Sequence, residues 1–156
     1  MPRRYPIHLL LPDWTDPRNV GAAFRLADAA GLAGIILAGT TPRPPNGKLA
    51  RTARSTVRSV PYEEVADASA HLRARRAAGD LILALELTDT SQSIFTYEPP
   101  ATGITLIAGN ESTGVPPVLL DLCDGAVHLP MHGQNSSMNV SVALGAGVYL
   151  LLMKLQ

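Results

Sequence analysis

A single cysteine, Cys123, stands among the 156 residues. It excludes an internal disulfide framework and a thiolate metal cluster. The four histidines, His8, His71, His128 and His132, show no H-x-x-x-H spacing, so no metal site is expected. Aromatic residues make up only 4% of the chain. No uninterrupted apolar run approaches the roughly 20 residues of a membrane span. No basic segment followed by an apolar stretch and a small-residue cleavage site opens the sequence, which makes a cytoplasmic protein the expectation. G-x-G-x-x-G, a P-loop Lys-Ser/Thr pair and a G-x-S-x-G elbow are all missing. The missing elbow sets aside a Ser–His–acid hydrolase built on Ser136 or Ser137 with His132. What is present is apolar, with 46% hydrophobic against 17% charged residues. That composition argues against disorder and for one domain over 1–156 with a real core.

The formal net charge is zero, but it is unevenly laid out. Residues 1 to 76 hold twelve basic and six acidic groups, and residues 77 to 156 hold one basic and seven acidic groups. Arg43, Lys48, Arg51, Arg54 and Arg58 fall within sixteen positions that contain no acid. Such a segment presents a local positive field on a neutral protein, and a nucleic-acid backbone is the obvious partner. A solvated face that aids solubility is the plainer alternative.

Apolar patterning predicts a strand over Tyr5–Leu11 and a helix over Val20–Ala30, capped by Asn19 and stopped by Gly31. Ile35–Ala38 reads as a buried parallel strand. A short helix over Leu49–Thr56 and a short strand over Val57–Val60 follow. Pro61 suits the first turn of a helix over Tyr62–Ala78. Strands are expected at Leu81–Leu87, Ile104–Ala108 and Ala126–Leu129, with a helical piece at Pro116–Cys123. A last helix, Met138–Leu152 with Ser137 as its cap, is apolar nearly all round and must be buried on more than one side. The order implies an α/β fold with a mostly parallel sheet and flanking helices.

Three segments carry residues that a core does not explain. In the first, Pro17 to Arg25, Arg25 either pairs with Asp28 or aims its guanidinium at a phosphate or ribose. The second, Ala108 to Pro116, follows a buried strand, where open α/β sheets bind ligands. Glu111 within it is either a ligand-loop carboxylate or a cap for the helix after Pro116. The third runs from Leu129 to Ser141, and its Asn139 and Ser141 enter the first turn of the apolar helix.

These segments, in this order, resemble the SpoU/TrmH family of RNA ribose 2'-O-methyltransferases within the SPOUT superfamily. The motifs that carry the resemblance are Asn19 through Gly31, Leu106 through Gly114, and Leu129-Pro130-Met131 followed by Ser137-Met138-Asn139-Val140-Ser141. It spans about residues 5 to 153. Met138 stands where leucine is usual, and Leu129 where isoleucine is. The resemblance implies a C-terminal deep trefoil knot, to which Gly109, Gly114, Gly125, Gly133, Gly145 and Gly147 would lend small volumes. It implies the catalytic domain alone, as in the minimal members of the family. It also implies a homodimer with the active site at the interface, the alternative being a compact monomer.

The implied cofactor is S-adenosylmethionine, held near Leu83–Glu86 by Leu85, Gly109, Asn110, Leu129, Met131, Ser137 and Met138. Glu86 either reaches a cofactor hydroxyl or is a surface carboxylate at a strand end. The implied catalytic set is Arg25, Asn19, Glu111, Ser137 and Asn139, with Arg25 on a phosphate. Glu111 is expected to orient Arg25 or Asn19. RNA is expected on Arg18, Arg43, Lys48, Arg51, Arg54 and Arg58, aided by Arg3 and Arg4. Trp14 and Tyr62 are each either a base-stacking surface or packed. Too few aromatics are present for stacking to be the main mode. The expected substrate is tRNA. The alternatives are 23S ribosomal RNA and a non-catalytic RNA-binding protein on the same fold.

Overall fold

The computed structural model describes residues 4–156; Arg3 lies outside them. The chain runs β1 (Tyr5–Pro12), α1 (Pro17–Ala30), β2 (Leu32–Ala38), α2 (Gly47–Ala53), α3 (Thr56–Ser59), β3 (Tyr62–Val65), α4 (Ala68–Ala77) and β4 (Leu81–Leu85). It continues through β5 (Gln92–Ser93), β6 (Ile104–Ala108), α5 (Pro117–Leu120), β7 (Gly125–His128) and α6 (Val140–Lys154). The seven strands form one sheet in the order β3-β2-β1-β6-β4-β7-β5, and every strand pair is parallel.

The central strands are near-continuous apolar runs because both faces of the sheet are covered. Leu9, Leu11, Ile35, Leu83 and Leu106 point into one layer, where they meet Phe24 of α1 and Leu144, Val148 and Leu151 of α6. Leu10, Ile36, Ile82 and Ile107 point the other way, toward Leu72 of α4 and Leu119 of α5. Strand alternation thus divides one run of leucines and isoleucines between two cores.

Several elements depart from the sequence expectation. Helix α1 starts earlier, at Pro17, and Asp16 caps it by accepting from the Arg18 N–H. Proline is pre-set for the first helical position and needs no partner for a missing N–H, so Asn19 falls inside the helix. Gly31 does close α1, in the left-handed conformation at φ 66°. The expected strand at Val57–Val60 is instead α3, stabilised where Thr56 Oγ1 donates to the Ala53 carbonyl at 2.6 Å.

The expected helix over Tyr62–Ala78 divides in two. Tyr62–Val65 pairs with β2 as the edge strand β3, and Asp67 caps the shorter α4 by accepting from the Ala70 N–H. Pairing satisfies the outer edge of β2, which the local signal from Pro61 could not take into account. The last helix begins at Val140, capped by Asn139 and not by Ser137. Of the six glycines singled out, Gly109, Gly114 and Gly147 sit tightly against other atoms. Gly133 and Gly145 face open space, and Gly125 is in loose contact only.

Candidate active site

A cleft of about 990 Å³ opens at the carboxyl ends of β4, β6 and β7. Leu85 ends β4, Ala108 ends β6, and His128 ends β7, which is where parallel sheets present their loops to ligands. All seven residues expected to hold a cofactor line this cleft: Leu85, Gly109, Asn110, Leu129, Met131, Ser137 and Met138. Leu85, Leu129, Met131 and Met138 give it apolar walls, and the 109–114 loop gives it backbone polar groups. That combination suits a flat heteroaromatic ring with polar edges.

The loop after β6 is rigidly built. Asn110 Oδ1 accepts from the Ser112 N–H at 3.0 Å, the Thr113 N–H at 2.7 Å and Thr113 Oγ1 at 2.9 Å. Its Nδ2 donates to the Asp13 carbonyl at 3.1 Å. Gly109 is obligatory, because a Cβ there would lie 2.1 Å from the Gly114 carbonyl carbon. Glu86 braces the far side, accepting from the Val115 N–H at 2.9 Å and the Leu87 N–H at 3.1 Å. Glu86 is therefore no free surface carboxylate; it lines the cleft while each of its oxygens accepts one backbone N–H.

Glu111 reaches away from α5 and is not its cap. Its Oε1 accepts from Asn19 Nδ2 at 2.9 Å and the Asp16 N–H at 3.3 Å. Its Oε2 accepts from the Thr15 N–H at 3.2 Å and Thr15 Oγ1 at 3.0 Å. Burial works to raise the Glu111 carboxyl, but the hydrogen bonds led by Asn19 outweigh it, and the group sits below its ordinary value. One carboxylate thus fastens the start of α1 to the cleft loop. Trp14, beside it, is buried and donates from Nε1 to the Ala108 carbonyl at 2.8 Å. It is packed and has no face to offer a base.

The structure joins Asn19 to Glu111 but brings Arg25 to neither by a hydrogen bond or ion pair. Arg25 is exposed on α1. The i,i+3 pair with Asp28 does not form; Asp28 instead accepts from Ser59 Oγ at 3.2 Å. Ser137 and Asn139 line the cleft with Glu111. Asn139 Oδ1 is taken up by the Ser141 N–H at 2.9 Å and the Val142 N–H at 3.4 Å, which leaves its Nδ2 for a ligand.

Lys48, Arg51, Arg54 and Arg58 are exposed along α2 and α3. Arg43 is shared with Glu64 at 3.3 Å, and Arg18 with Asp16 at 3.2 Å. Arg4 donates to the Leu32 and Ser59 carbonyls and is a structural residue. Tyr62 stays partly exposed, its ring edge-on to Phe24 at 5.4 Å. Among the described residues no helix is long and apolar enough to cross a membrane, and no cluster of potential metal ligands forms.

Sequence reasoning missed Thr15, Thr88, Asp89 and His128 as parts of this region. The Thr88-Asp89 pair directly after an apolar strand was the available signal. The others are assembled across long stretches of sequence.

Comparison with known proteins agrees with the geometry. Residues 6–149 match the model of the SpoU rRNA Methylase family. The 23S rRNA (guanosine-2'-O-)-methyltransferase RlmB of Vibrio cholerae is 31% identical over 145 residues, covering 92% of this chain and 58% of that protein. The chain therefore spans somewhat over half the length of the curated relatives it matches. The AdoMet-bound rRNA methyltransferase of Sinorhizobium meliloti superposes with a TM-score of 0.90 at 29% identity, over 99% of this chain and 59% of the other. A structure solved for insight into the 2-OH methylation of C/U34 on tRNA gives a TM-score of 0.84 at 26% identity, covering 97% of this chain and 98% of that one. With residues 6–149 matched by the family model and the second and third motifs lining one cleft, the chain belongs to the SpoU rRNA methylase family.

Proposed function

We propose that the protein transfers a methyl group from S-adenosylmethionine to a ribose 2'-hydroxyl of structured RNA, with tRNA as the substrate. The observation that carries this reading is the convergence of the seven cofactor residues and of Glu111, Ser137 and Asn139 on one cleft. When bound, the cofactor supplies a methyl group made electrophilic by its sulfonium. Leu85, Leu129, Met131 and Met138 enclose the adenine, and the Gly109–Asn110 backbone meets its polar edge. Glu111 holds Asn19 and, through α1, sets where Arg25 stands. Arg25 grips the phosphate beside the target ribose. A guanidinium that stays protonated up to about pH 12 is a poor base at neutral pH. The Asn139 amide and the Ser137 hydroxyl orient the nucleotide. Lys48, Arg51, Arg54 and Arg58, with Arg43 and Arg18, hold the RNA backbone without reading its sequence.

The whole chain acts as one cytoplasmic domain. Its last third is threaded as a deep trefoil knot, supported by close approaches at Gly109 and by Gly147, where a Cβ would sit 3.0 Å from Leu85. Mechanical unfolding from both ends should leave a shortened, knotted contour, and a full-length extension refutes the knot. The active form is a homodimer. Val142, Tyr149 and Met153, at helical spacing on the outer face of α6, are 51–65% exposed, a stripe that a second copy would cover.

The tRNA choice rests on the relative matched end to end, whose structure concerns C/U34 of tRNA. The 31% identity to RlmB favours 23S ribosomal RNA as the second reading. Incubation with tritiated S-adenosylmethionine and separate pools of unmodified tRNA and ribosomal RNA decides between them. Label mapped to a 2'-O-methyl in tRNA is expected. Label in ribosomal RNA alone overturns the substrate. Label in neither pool favours a non-catalytic RNA-binding protein.

A further inference from the structure

The cleft is lined by three carboxylates, Glu86, Asp89 and Glu111, and by no lysine or arginine. Two of the three are committed to the protein itself. Glu86 holds the Val115 and Leu87 N–H groups, and Glu111 holds Thr15, Asp16 and Asn19. Asp89 is exposed and accepts no hydrogen bond among the described residues. All three keep their charge, since their donors are neutral, and Asp89 is the one whose oxygens are open to whatever enters.

The turn that carries Asp89 is fixed from behind. The Thr88 N–H donates to Ser91 Oγ at 3.0 Å, and Ser91 Oγ lies 3.0 Å from the Thr88 carbonyl. Ser91 Oγ also meets His128 Nδ1 at 2.8 Å. A hydroxyl has one proton to give. Donated to the Thr88 carbonyl, it leaves Oγ as the acceptor for both the Thr88 N–H and an Nδ1–H of His128. The assignment satisfies all three groups and puts a proton on Nδ1 of His128. The Ile94 N–H, bonded to the His128 carbonyl at 2.9 Å, pins the histidine backbone.

We propose that Asp89, held in place by Ser91 and His128, is a specificity-determining residue that makes the cleft prefer the cationic cofactor over its neutral product. The inference rests on the methyltransferase reading and goes beyond it. S-adenosylmethionine and S-adenosylhomocysteine share the same adenosine, amino and carboxylate groups. They differ in the methyl and in the sulfonium charge. An acidic cleft without compensating cations attracts the ammonium of both ligands alike and the sulfonium of the cofactor alone. Loss of that charge in the reaction then weakens retention of the product. The cleft is open to solvent, so the attraction is moderate and falls with salt.

Isothermal titration with each ligand tests this on wild type, Asp89→Asn, Ser91→Ala and Ser91→Thr. Asp89→Asn should weaken S-adenosylmethionine binding about threefold at low salt, the size of one screened charge pair. Its affinity for S-adenosylhomocysteine should weaken less. The preference of the wild type should shrink as salt rises, and that of Asp89→Asn should shrink less. Ser91→Ala should lose discrimination in the same direction, and Ser91→Thr should restore it. Equal weakening of both ligands makes Asp89 a hydroxyl acceptor and overturns the proposal, as does no change in either. If the wild type binds neither ligand, the cofactor assignment itself falls and the proposal with it. Normal binding of both by the wild type with no discrimination defeats the proposal alone.

Discussion

Glu111 couples two segments through four accepted hydrogen bonds, and its ionisation controls that coupling. Its carboxyl lies below the ordinary value of 4.5 in the folded protein. The stability it adds is complete above 4.5 and is lost as pH falls through the lower folded value. Trp14, the only tryptophan, sits between two residues of the anchored segment. Its fluorescence should therefore change in a transition below pH 4.5, and Glu111→Gln should remove that transition. His8 is tuned in the same direction by different means. Burial and then the Arg75 guanidinium, 2.8 Å from its Nδ1, lower its value from 6.5. Arginine has no acceptor, so Nδ1 must accept and the ring is neutral. Folding is thus favoured fully above pH 6.5 and less as pH drops through the folded value. Between pH 7 and 5 the melting temperature of His8→Asn should fall less than that of the wild type.

At the scale of elements, Asn139 has a structural task whatever else it does. Asn139→Ala should cost about 1 kcal/mol through loss of the α6 cap, and Asn139→Asp should restore stability. Methyl transfer recovered along with stability would reduce Asn139 to a cap. Arg54 ends α2 at φ 58°, a conformation that glycine adopts without strain. Arg54→Gly should therefore raise stability by roughly 1 kcal/mol while weakening RNA binding. The two readouts separate its backbone role from its charge. Arg25→Ala should lower turnover at least tenfold, about 1.4 kcal/mol of transition-state stabilisation, and leave cofactor affinity intact.

For the whole molecule, charge is divided by region. The single cation of residues 77 to 156 is Lys154, and the cleft is built from residues 85 to 143. On the proposed function, this division would steer phosphate to α2 and α3 and the cationic cofactor to the cleft. RNA affinity should fall steeply with salt; salt-insensitive binding moves the footprint off residues 43–58. On the outer face of α6, Tyr149→Glu should convert a dimer to a 16.5 kDa monomer in sedimentation. A monomeric wild type refutes the assembly.

The sequence by itself determined the two-sided parallel sheet, because Leu9-Leu10-Leu11 and Ile35-Ile36-Leu37 are apolar on both faces and suit nothing else so short. It also picked out two of the cleft's loops, in Ala108 to Pro116 and Leu129 to Ser141, since their small and polar residues have no place in a core; Pro17 to Arg25 joins them only through Asn19 and Glu111. Only the tertiary structure decided that Tyr62–Val65 is a strand, because the edge of β2 lies far away along the chain. The same holds for Glu111, whose partners stand more than ninety positions earlier. It holds too for Glu86 and Asp89, similar acids three residues apart. One meets the Val115 N–H and is held by the fold; the other meets no donor among the described residues and has its oxygens free. Local pattern records what a residue is made of, and long-range contact decides which of its hydrogen bonds remain unused.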